Sequence, residues 1–268
     1  LILTFTIKPN IYFSLVSSFL NTKIINNITG LGSSFLNNRL IKYITFFLYK
    51  ISISYSKIVF FQNETDRKLF IKFKILKQFN SEVIPGSGVD VNYFKSTINI
   101  PNKKNIFLFS GRLLKEKGIY DFLNAALIIL KKNKNCEFHI IGEYDNKDKS
   151  SISLDILKQY IQKDNNIKYF GFVQNTKKYY EKSTCIILPS YREGLSRSLL
   201  EAASMSRSII TTNVPGCNDI IENNFNGFLV QVDNLDSLVS AITEFIAQSY
   251  EKKVIMGKNS RKIAENKF

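Results

Sequence analysis

The sequence predicts an α/β fold in which a parallel sheet is covered by helices on both faces. From Lys103 onward, short apolar stretches such as "NIFLFSG" and "TCIILPS" alternate with segments whose apolar residues recur every three or four positions. Apolar strands separated by amphipathic helices are typical of a parallel sheet buried on both faces. In such doubly wound folds, ligands bind beyond the carboxyl ends of the strands, which is where we look for a site.

The individual elements follow from these patterns in chain order. The strands predicted after Lys103 are "NIFLFSG", "EFHIIG", "IKYFGFV", "TCIILPS", "SIITTN" and "GFLVQV". The helices predicted between them are "KGIYDFLNAALIILKK", "SISLDILKQYIQK", "TKKYYEKS", the run that follows Tyr191, and "NLDSLVSAITEFIAQSY". The first helix shows the pattern well, because Ile119, Phe122, Ala126 and Leu130 share one face.

A shorter set of elements precedes this region. Its predicted strands are "LILTFTI", "KIINNITG" and "KIVFFQN", and its predicted helices are the region around 11–20, the basic segment 36–57 and "ETDRKLFIKF". The glycine- and proline-containing stretch "VIPGSGVDVNYF" is typical of a hinge, which we place at about 83–100. The sequence therefore predicts an N-terminal domain at 1–95 and a C-terminal domain at 96–268. Because the chain opens on Leu1 within a strand pattern, we interpret it as a piece of a longer protein with an incomplete N-terminal domain.

The charge is strongly positive, with a formal net charge of +15. A general bias toward lysine, asparagine and isoleucine explains part of it. The distribution nevertheless favours an anionic partner, because no Asp or Glu precedes Glu64 whereas Lys and Arg do. The basic, apolar segment 36–57 fits either a helix that lies on a membrane surface or an ordinary helix packed on the core. Nucleic-acid binding would rest on charge alone, and we expect none.

Histidine and cysteine chemistry is almost excluded. The three cysteines, Cys136, Cys185 and Cys217, are scattered and form no Cys-x-x-Cys, which favours a reducing compartment and argues against zinc. The only histidine, His139, lies within an apolar strand pattern, and we interpret it as a packed strand residue. No uncharged apolar run is long enough for a predicted membrane-spanning helix.

A pair of cations marks the first candidate site. In "FSGRLLKEKGIYDF", a strand ends at Gly111, Arg112 follows at once, and Lys117 precedes the next helix. A guanidinium, an ammonium and the free N–H groups of a helix start together suit a diphosphate. The alternative is that both cations are solvated surface residues.

A pair of acids marks the second candidate site, in "YREGLSRSLLEA". Glu193 follows a buried strand, where a ligand crevice is expected, and carboxylates there accept hydrogen bonds from sugar hydroxyls. Glu201 has a competing explanation, because Ser198 to Glu201 fits a helix capping box. Backbone N–H groups of Gly194, Leu195 and Ser196 suit a phosphate. Cations for phosphate and acids for hydroxyls together indicate a sugar nucleotide.

These motifs resemble the family 4 glycosyltransferases, which are retaining enzymes of the GT-B fold class. The resemblance covers nearly the whole chain and rests on "GRLLKEKG", "PSYREGLSRSLLEA", "TTNVPGCNDIIENNFNGFLV" and "PGSGVD". The stretches "TFTIKPNIY", "INNITGLG" and "VIPGSGVD" are similar to the subgroup that adds N-acetylhexosamine-type sugars to lipid-linked intermediates. The resemblance implies two Rossmann-like, doubly wound domains.

The resemblance also implies roles for the residues in these motifs. Arg112 and Lys117 are expected to bind the donor diphosphate, Glu193 the donor sugar and Glu201 the ribose. Further substrate contacts are expected at Gly111, Gly194, Leu195, Ser196, Phe172 and Val173, the last two near the base. The implied donor is a UDP-sugar, and the implied acceptor is a polyprenyl-diphosphate-linked sugar at the inner face of the cytoplasmic membrane, with the protein bound there peripherally.

Two departures from the family pattern limit these expectations. The glycine-rich loop of the first half of the N-terminal domain is missing, and Thr29 stands where many members have a histidine. A base on the acceptor side is therefore not assigned, and an inactive chain is one outcome that these departures predict. No Asp-x-Asp occurs, so we expect no metal and no cofactor.

Alternative functions predict different products. A GT-B sugar-nucleotide epimerase would need acid/base residues that a histidine-poor site does not supply, and it would convert a UDP-sugar without any acceptor. A catalytically inactive protein would bind the nucleotide-sugar and transfer nothing.

Overall fold

The computed structural model describes residues 1–32, 39–96 and 99–268. The chain divides into two compact units. The N-terminal unit contains residues 1–87 and 192–196, and the C-terminal unit contains residues 88–191 and 197–268. Each unit contains a parallel sheet, so the predicted α/β fold with parallel sheets is confirmed.

The N-terminal unit has four parallel strands in the order β1-β2-β3-β4. Its elements are β1 (Ile2–Phe5), α1 (Ile7–Phe19), β2 (Ile24–Ile28), α2 (Arg39–Ser52), β3 (Ser56–Phe61), α3 (Glu64–Lys72) and β4 (Ser81–Val83). The basic helix predicted at 36–57 is confirmed as α2 over Arg39–Ser52, and its predicted start at 36–38 lies outside the described residues. Its predicted end is wrong, because a 3₁₀ turn follows α2 and the last two residues, Ser56 and Lys57, belong to β3. Strand β4 is a short element that the sequence analysis did not predict; it has only three residues and ends where the stretch interpreted as a hinge begins.

An aromatic cluster holds the N-terminal unit together. Phe70 of α3 is fully buried, and its ring meets Phe61 and Tyr49 at centroid distances of 5.1 Å each and Phe46 at 5.8 Å. Burying one such ring contributes roughly 1.5–3 kcal/mol relative to leaving it exposed. Helices α2 and α3 are therefore fixed to the sheet mainly by their aromatic residues.

The C-terminal unit has six parallel strands in the order β10-β9-β8-β5-β6-β7. Its strands are β5 (Asn105–Ser110), β6 (Cys136–Ile141), β7 (Ile167–Tyr169), β8 (Cys185–Leu188), β9 (Ser208–Thr212) and β10 (Gly227–Val230). Its helices are α4 (Ile119–Lys132), α5 (Leu154–Lys163), α6 (Lys177–Lys182), α7 (Arg197–Ser204), α8 (Leu235–Ala247) and α9 (Tyr250–Lys267). The strand order reverses between β5 and β8, and ligands of doubly wound sheets bind beyond the carboxyl ends at such a point.

Helices cover both faces of this sheet. On one face, the ring of Phe107 in β5 stacks on Phe138 of β6 at 5.0 Å and meets Phe245 of α8 at 5.9 Å. The helix α9 was not predicted, and it lies close to the turn before β9. A Cβ at Gly257 of α9 would be 2.2 Å from the carbonyl oxygen of Ser206, so a glycine is required there.

Two predicted details need correction or confirmation. Strand β7 ends at Tyr169, whereas the sequence pattern predicted a strand through Val173, because Gly171 has a φ of 74° that a continuing strand does not allow. His139 is confirmed as a packed residue of β6, with its Nε2 2.9 Å from the Glu137 carboxylate. Burial lowers the pKa of His139, although Glu137 acts in the opposite direction.

Candidate active site

Three glycines bring the ends of β5, β6 and β7 together in the C-terminal unit. The N–H of Gly111 donates to the Ile141 carbonyl at 3.1 Å, and the N–H of Gly142 donates to the Gly171 carbonyl at 2.9 Å. A Cβ at Gly142 would be 1.7 Å from the Gly111 carbonyl oxygen. No side chain larger than that of glycine fits at Gly142, so the backbones of these loops pack directly against each other.

A cavity of about 200 Å³ opens at these strand ends. Its lining consists of Ser110, Gly111, Arg112, Ile141, Gly142, Glu143, Phe172, Val173 and Thr176. Four of the residues predicted to bind substrate therefore line one cavity: Gly111, Arg112, Phe172 and Val173. The side chains of Arg112 and Phe172 are exposed, which leaves them accessible to a ligand.

Glu201 lies next to this cavity on α7 and is 7% exposed. One of its carboxylate oxygens accepts a hydrogen bond from Thr176 Oγ1 at 3.3 Å and lies 3.3 Å from the Tyr180 hydroxyl. The other accepts from Arg197 Nε at 3.0 Å. Because Thr176 lines the cavity and the Tyr180 hydroxyl lies 3.0 Å from Ser110 Oγ, these side chains connect Glu201 to the cavity wall.

The capping-box explanation for Glu201 is wrong. Helix α7 begins at Arg197, so Ser198 lies inside the helix and cannot be its N-cap residue. Glu201 is then beyond the third helical position, which a capping box requires for its acid. Its carboxylate binds side chains of the helix and of the neighbouring segment 176–180 instead.

Burial sets the protonation behaviour of this acid. Desolvation raises the pKa of Glu201, and the nearby Arg197 guanidinium partly counteracts that effect. Burial likewise raises the pKa of the Tyr180 hydroxyl well above its usual value, so Tyr180 stays neutral. A buried carboxylate with polar partners is a good acceptor for ligand hydroxyls, and it responds to pH in a higher range than a surface glutamate does.

The two predicted phosphate-binding cations lie on the segment that follows β5. Lys117 ends a single 3₁₀ turn, 115–117, and this turn is fixed to the end of β8. The Glu116 carbonyl accepts from the Tyr191 N–H at 2.8 Å and from Ser190 Oγ at 3.1 Å. Gly118 has a φ of 74°, and a Cβ there would be 2.1 Å from the Pro189 carbonyl oxygen. The Lys117 backbone is thereby held at the β5/β8 reversal point.

The remaining predicted site residues, Glu193 to Ser196, group with the N-terminal unit. Gly194 is buried, and a Cβ there would be 1.8 Å from the carbonyl oxygen of Thr29. The Gly194 carbonyl accepts a hydrogen bond from Asn63 Nδ2 at 2.8 Å. Glycine is therefore required in this loop for a close backbone approach to Thr29, the residue that stands where many family members have a histidine.

Sequence reasoning missed several residues of the cavity region. Ser110, Glu143 and Thr176 line the cavity, and Tyr180 and Arg197 bind or approach the Glu201 carboxylate. The spacing of Arg197 and Glu201, four residues apart on a helix, was a readable signal for an ion pair. Thr176 and Tyr180 gave no such signal, because they approach Glu201 only through tertiary packing across more than 20 residues of sequence. Among the described residues, no group of three or more His, Cys, Asp or Glu is placed to hold a metal ion.

Most of the C-terminal part of the chain matches a known protein family. Residues 91–263 match the family described as glycosyl transferases group 1. A capsular polysaccharide biosynthesis glycosyltransferase, CapM of Staphylococcus aureus, is 27% identical over 191 residues, which are 71% of this chain and 48% of CapM.

Two further relatives have names that specify a substrate. An Escherichia coli UDP-Gal:alpha-D-GlcNAc-diphosphoundecaprenol alpha-1,3-galactosyltransferase is 29% identical over 231 residues, covering 80% of this chain and 56% of the relative. A Campylobacter jejuni N,N'-diacetylbacillosaminyl-diphospho-undecaprenol alpha-1,3-N-acetylgalactosaminyltransferase is 25% identical over 226 residues, covering 80% and 57%. The chain thus spans about half the length of the curated relatives it matches.

Solved structures match the fold closely. HepE of Anabaena, crystallised with UDP, superposes with a TM-score of 0.81 at 16% identity, covering 99% of this chain and 74% of HepE. A glycosyltransferase from Rickettsia africae gives 0.77 at 20% identity, covering 99% and 72%. These matches confirm the predicted GT-B fold class. Together with the family match over residues 91–263, they lead to the conclusion that the chain belongs to the group 1 glycosyl transferases.

Proposed function

We propose that the protein containing this chain is a retaining glycosyltransferase that acts in surface polysaccharide biosynthesis. It moves a hexose or N-acetylhexosamine from a UDP-sugar to a lipid-linked saccharide. The observation that carries the proposal is the buried Glu201 carboxylate beside a cavity whose rim bears Arg112. Such a site offers an acceptor for ribose hydroxyls and a cation for phosphate, which are the two recognition needs of a nucleotide-sugar.

The proposed roles follow the chemistry of each side chain. Glu201 accepts hydrogen bonds from the ribose, and Phe172 and Val173 lie beside the base. Arg112 and Lys117 bind the diphosphate. Glu193 contacts the donor sugar, and backbone groups of 194–196 contact sugar or phosphate. No metal is required in this proposal, because the two cations offset the charge of the leaving group.

The proposed transfer breaks the bond between the sugar C1 and the oxygen of the UDP diphosphate. An acceptor hydroxyl oxygen forms the new bond to C1 on the face that the diphosphate leaves, which preserves the configuration at C1. The hydroxyl proton passes to an oxygen of the departing diphosphate. Negative charge grows on that group as the bond breaks, so fixed cations beside it stabilise the transition state more than the ground state.

The relatives support the donor and acceptor classes of this proposal. The Escherichia coli relative is named for a UDP-galactose donor and a diphosphoundecaprenol-linked acceptor, and the Campylobacter jejuni relative is named for a diphospho-undecaprenol acceptor. HepE was crystallised with UDP and with UDP-glucose. A UDP-sugar and a polyprenyl-diphosphate-linked sugar are therefore the first substrates to test.

A lipid-linked acceptor requires contact with a membrane, and α2 provides a suitable surface in the N-terminal unit. Its residues Tyr43, Ile44, Phe47 and Ile51 recur at helical spacing and are 42–63% exposed. Lysines accompany them at Lys42 and Lys50. Exposed apolar residues with flanking cations suit a helix lying at an anionic bilayer surface, so we place the protein peripherally at the cytoplasmic face of the membrane. Within the described ranges, no helix combines the length and the apolar character needed to cross a bilayer.

Calorimetry and NMR test the proposal with the complete reading frame that contains this sequence. Titration with UDP, GDP, ADP and CDP should show selective binding of UDP. NMR of a panel of UDP-sugars with polyprenyl-diphosphate sugars should then show a glycosylated lipid with retained configuration. Absence of nucleotide binding contradicts the proposal. An epimerised UDP-sugar without acceptor indicates an epimerase, and binding without any product indicates an inactive binding protein.

A further inference from the structure

A fully buried carboxylate lies in the N-terminal unit, on the helix α3. Asp66, in the first turn of α3, is 0% exposed and forms an ion pair with Arg192, whose side chain is 19% exposed. Its second carboxylate oxygen accepts from Asn63 Nδ2 at 3.2 Å. A carboxylate this deeply buried is costly unless it is paired, and Arg192 provides the opposite charge that Asp66 requires.

The start of α3 also binds Gly194, the residue that follows Glu193, just as it binds Arg192, the residue that precedes Glu193. Asn63 Nδ2 donates to the Gly194 carbonyl at 2.8 Å as well as to Asp66. Gly194 is further fixed by its close approach to Thr29, which leaves no space for a Cβ. Arg192 and Gly194 flank Glu193 directly, so one neighbour of this glutamate is anchored to the start of α3 through its side chain and the other through its backbone.

We propose that Asp66 and Asn63 are positioning residues for Glu193; this inference rests on the proposed function, in which Glu193 contacts the donor sugar. A loop glutamate has freedom in its backbone as well as its side chain. Anchoring both neighbours restricts the backbone of Glu193 and so narrows the positions that its carboxylate can reach. Catalysis is sensitive to displacements of about 1 Å, so releasing these anchors slows transfer without removing a group that touches the substrate.

Helix stability alone does not account for this arrangement. The N-cap of α3 needs only Asn63 Oδ1, which accepts from the Asp66 N–H at 2.8 Å. A buried ion pair is weak evidence for a stabilising role, because apolar residues of similar volume often stabilise a folded protein at least as much as the pair does. The neighbouring Glu64 provides a matched control, since its half-exposed carboxylate pairs with Arg67 of the same helix at 3.3 Å.

Steady-state kinetics on the complete protein test the inference. Asp66→Asn should lower kcat for sugar transfer about tenfold or more while the dissociation constant for UDP stays within about twofold. Glu64→Gln should leave both unchanged. In a Glu193→Ala background, Asp66→Asn should cause no further loss, because the side chain that it positions is already gone. A purely structural role would not produce that non-additivity.

Two outcomes overturn the inference: a folded Asp66→Asn protein that transfers sugar at the normal rate, or losses from Asp66→Asn and Glu193→Ala that multiply. If Asp66→Asn does not fold, Arg192→Lys serves in the same cycle, since it keeps the charge and loses the guanidinium fork. Hydrogen exchange of the peptide spanning 192–196 is independent of activity. Exchange should be faster in Asp66→Asn and unchanged in Glu64→Gln, even if the wild-type protein transfers no sugar and the proposed function fails.

Discussion

At the scale of single residues, Glu201 links burial to a measurable pH effect. Desolvation raises its pKa above the usual glutamate range, so the acid becomes protonated at a higher pH than a surface glutamate. The folded protein then binds more protons than the unfolded chain between the two pKa values. The contribution of Glu201 to the free energy of unfolding therefore increases as the pH falls through its folded pKa.

Ligand binding should show the opposite trend with pH. Ribose hydroxyls donate to the ionised carboxylate, so the affinity for a UDP-sugar is expected to fall as the pH drops through the raised pKa of Glu201. Glu201→Gln should bind the UDP-sugar roughly tenfold or more weakly at neutral pH and lose this pH dependence. Calorimetric titrations from pH 5 to 8 measure both effects. Glu181→Gln, which changes a half-exposed carboxylate on α6, is the control and should follow the wild type.

Lys117 gives a second prediction at this scale. Its ammonium is proposed to stabilise the leaving diphosphate, and the turn that carries it is fixed to the end of β8. Lys117→Ala should reduce kcat by about 100-fold, as expected for a lost electrostatic group at a transition state. Lys115→Ala removes an exposed lysine from the same turn and should have little effect. Equal turnover in the two variants would remove Lys117 from the mechanism.

At the scale of elements, the sequence predicted the sheet strands and most helices because their side-chain patterns reflect burial. It failed at α9, whose buried face contains Lys253, Gly257 and Ser260 beside Met256 and Ile263. Small and polar residues fit there because the helix lies close to the backbone before β9, and no apolar periodicity records that packing. Strand β4 was missed because three residues paired with β3 leave too short a pattern to read.

Candidate site residues that come directly after a strand could be predicted from the sequence. Those that reach the site only through tertiary packing could not. Arg112 and Gly111, which line the cavity, were predicted as candidates because they follow an apolar strand directly. Thr176 was not, because its approach to Glu201 joins segments 25 residues apart in sequence. The anchoring of Gly194 by Asn63 was equally hidden, since 131 residues separate the two partners.

The glycines at the strand ends give a prediction about an element. Gly142→Ala should destabilise the protein by several kcal/mol, because the new Cβ would lie 1.7 Å from the Gly111 carbonyl oxygen and the backbone must shift. Gly171→Ala is the control, because it also has a positive φ but meets nothing within 4 Å, and it should cost about 1–2 kcal/mol. Thermal and urea unfolding measure both. Similar losses in the two variants would show that the close approach is easily relieved.

At the scale of the whole molecule, charge and exposed apolar surface act together. The formal net charge is +15, and the first 63 residues contain no acid. Helices α1 and α2 of the N-terminal unit pack against each other, and α1 also exposes Tyr12, Val16 and Phe19 by 47–88%. The two helices thus present neighbouring apolar side chains among cations. We propose that this surface binds an anionic bilayer, with both hydrophobic and electrostatic contributions.

Vesicle sedimentation separates those two contributions. The protein should bind vesicles that contain phosphatidylglycerol more tightly than pure phosphatidylcholine vesicles, and the difference should shrink as salt rises, because screening weakens the attraction of Lys42 and Lys50. Replacing Ile44 and Phe47 with Ser should weaken binding to both vesicle types, since each buried apolar side chain contributes roughly 1.5–3 kcal/mol at most. Ile255→Ser removes a side chain of α9 that is 50% exposed and should not change binding. Equal loss from the α9 and α2 variants would mean that membrane attachment does not depend on the α2 surface.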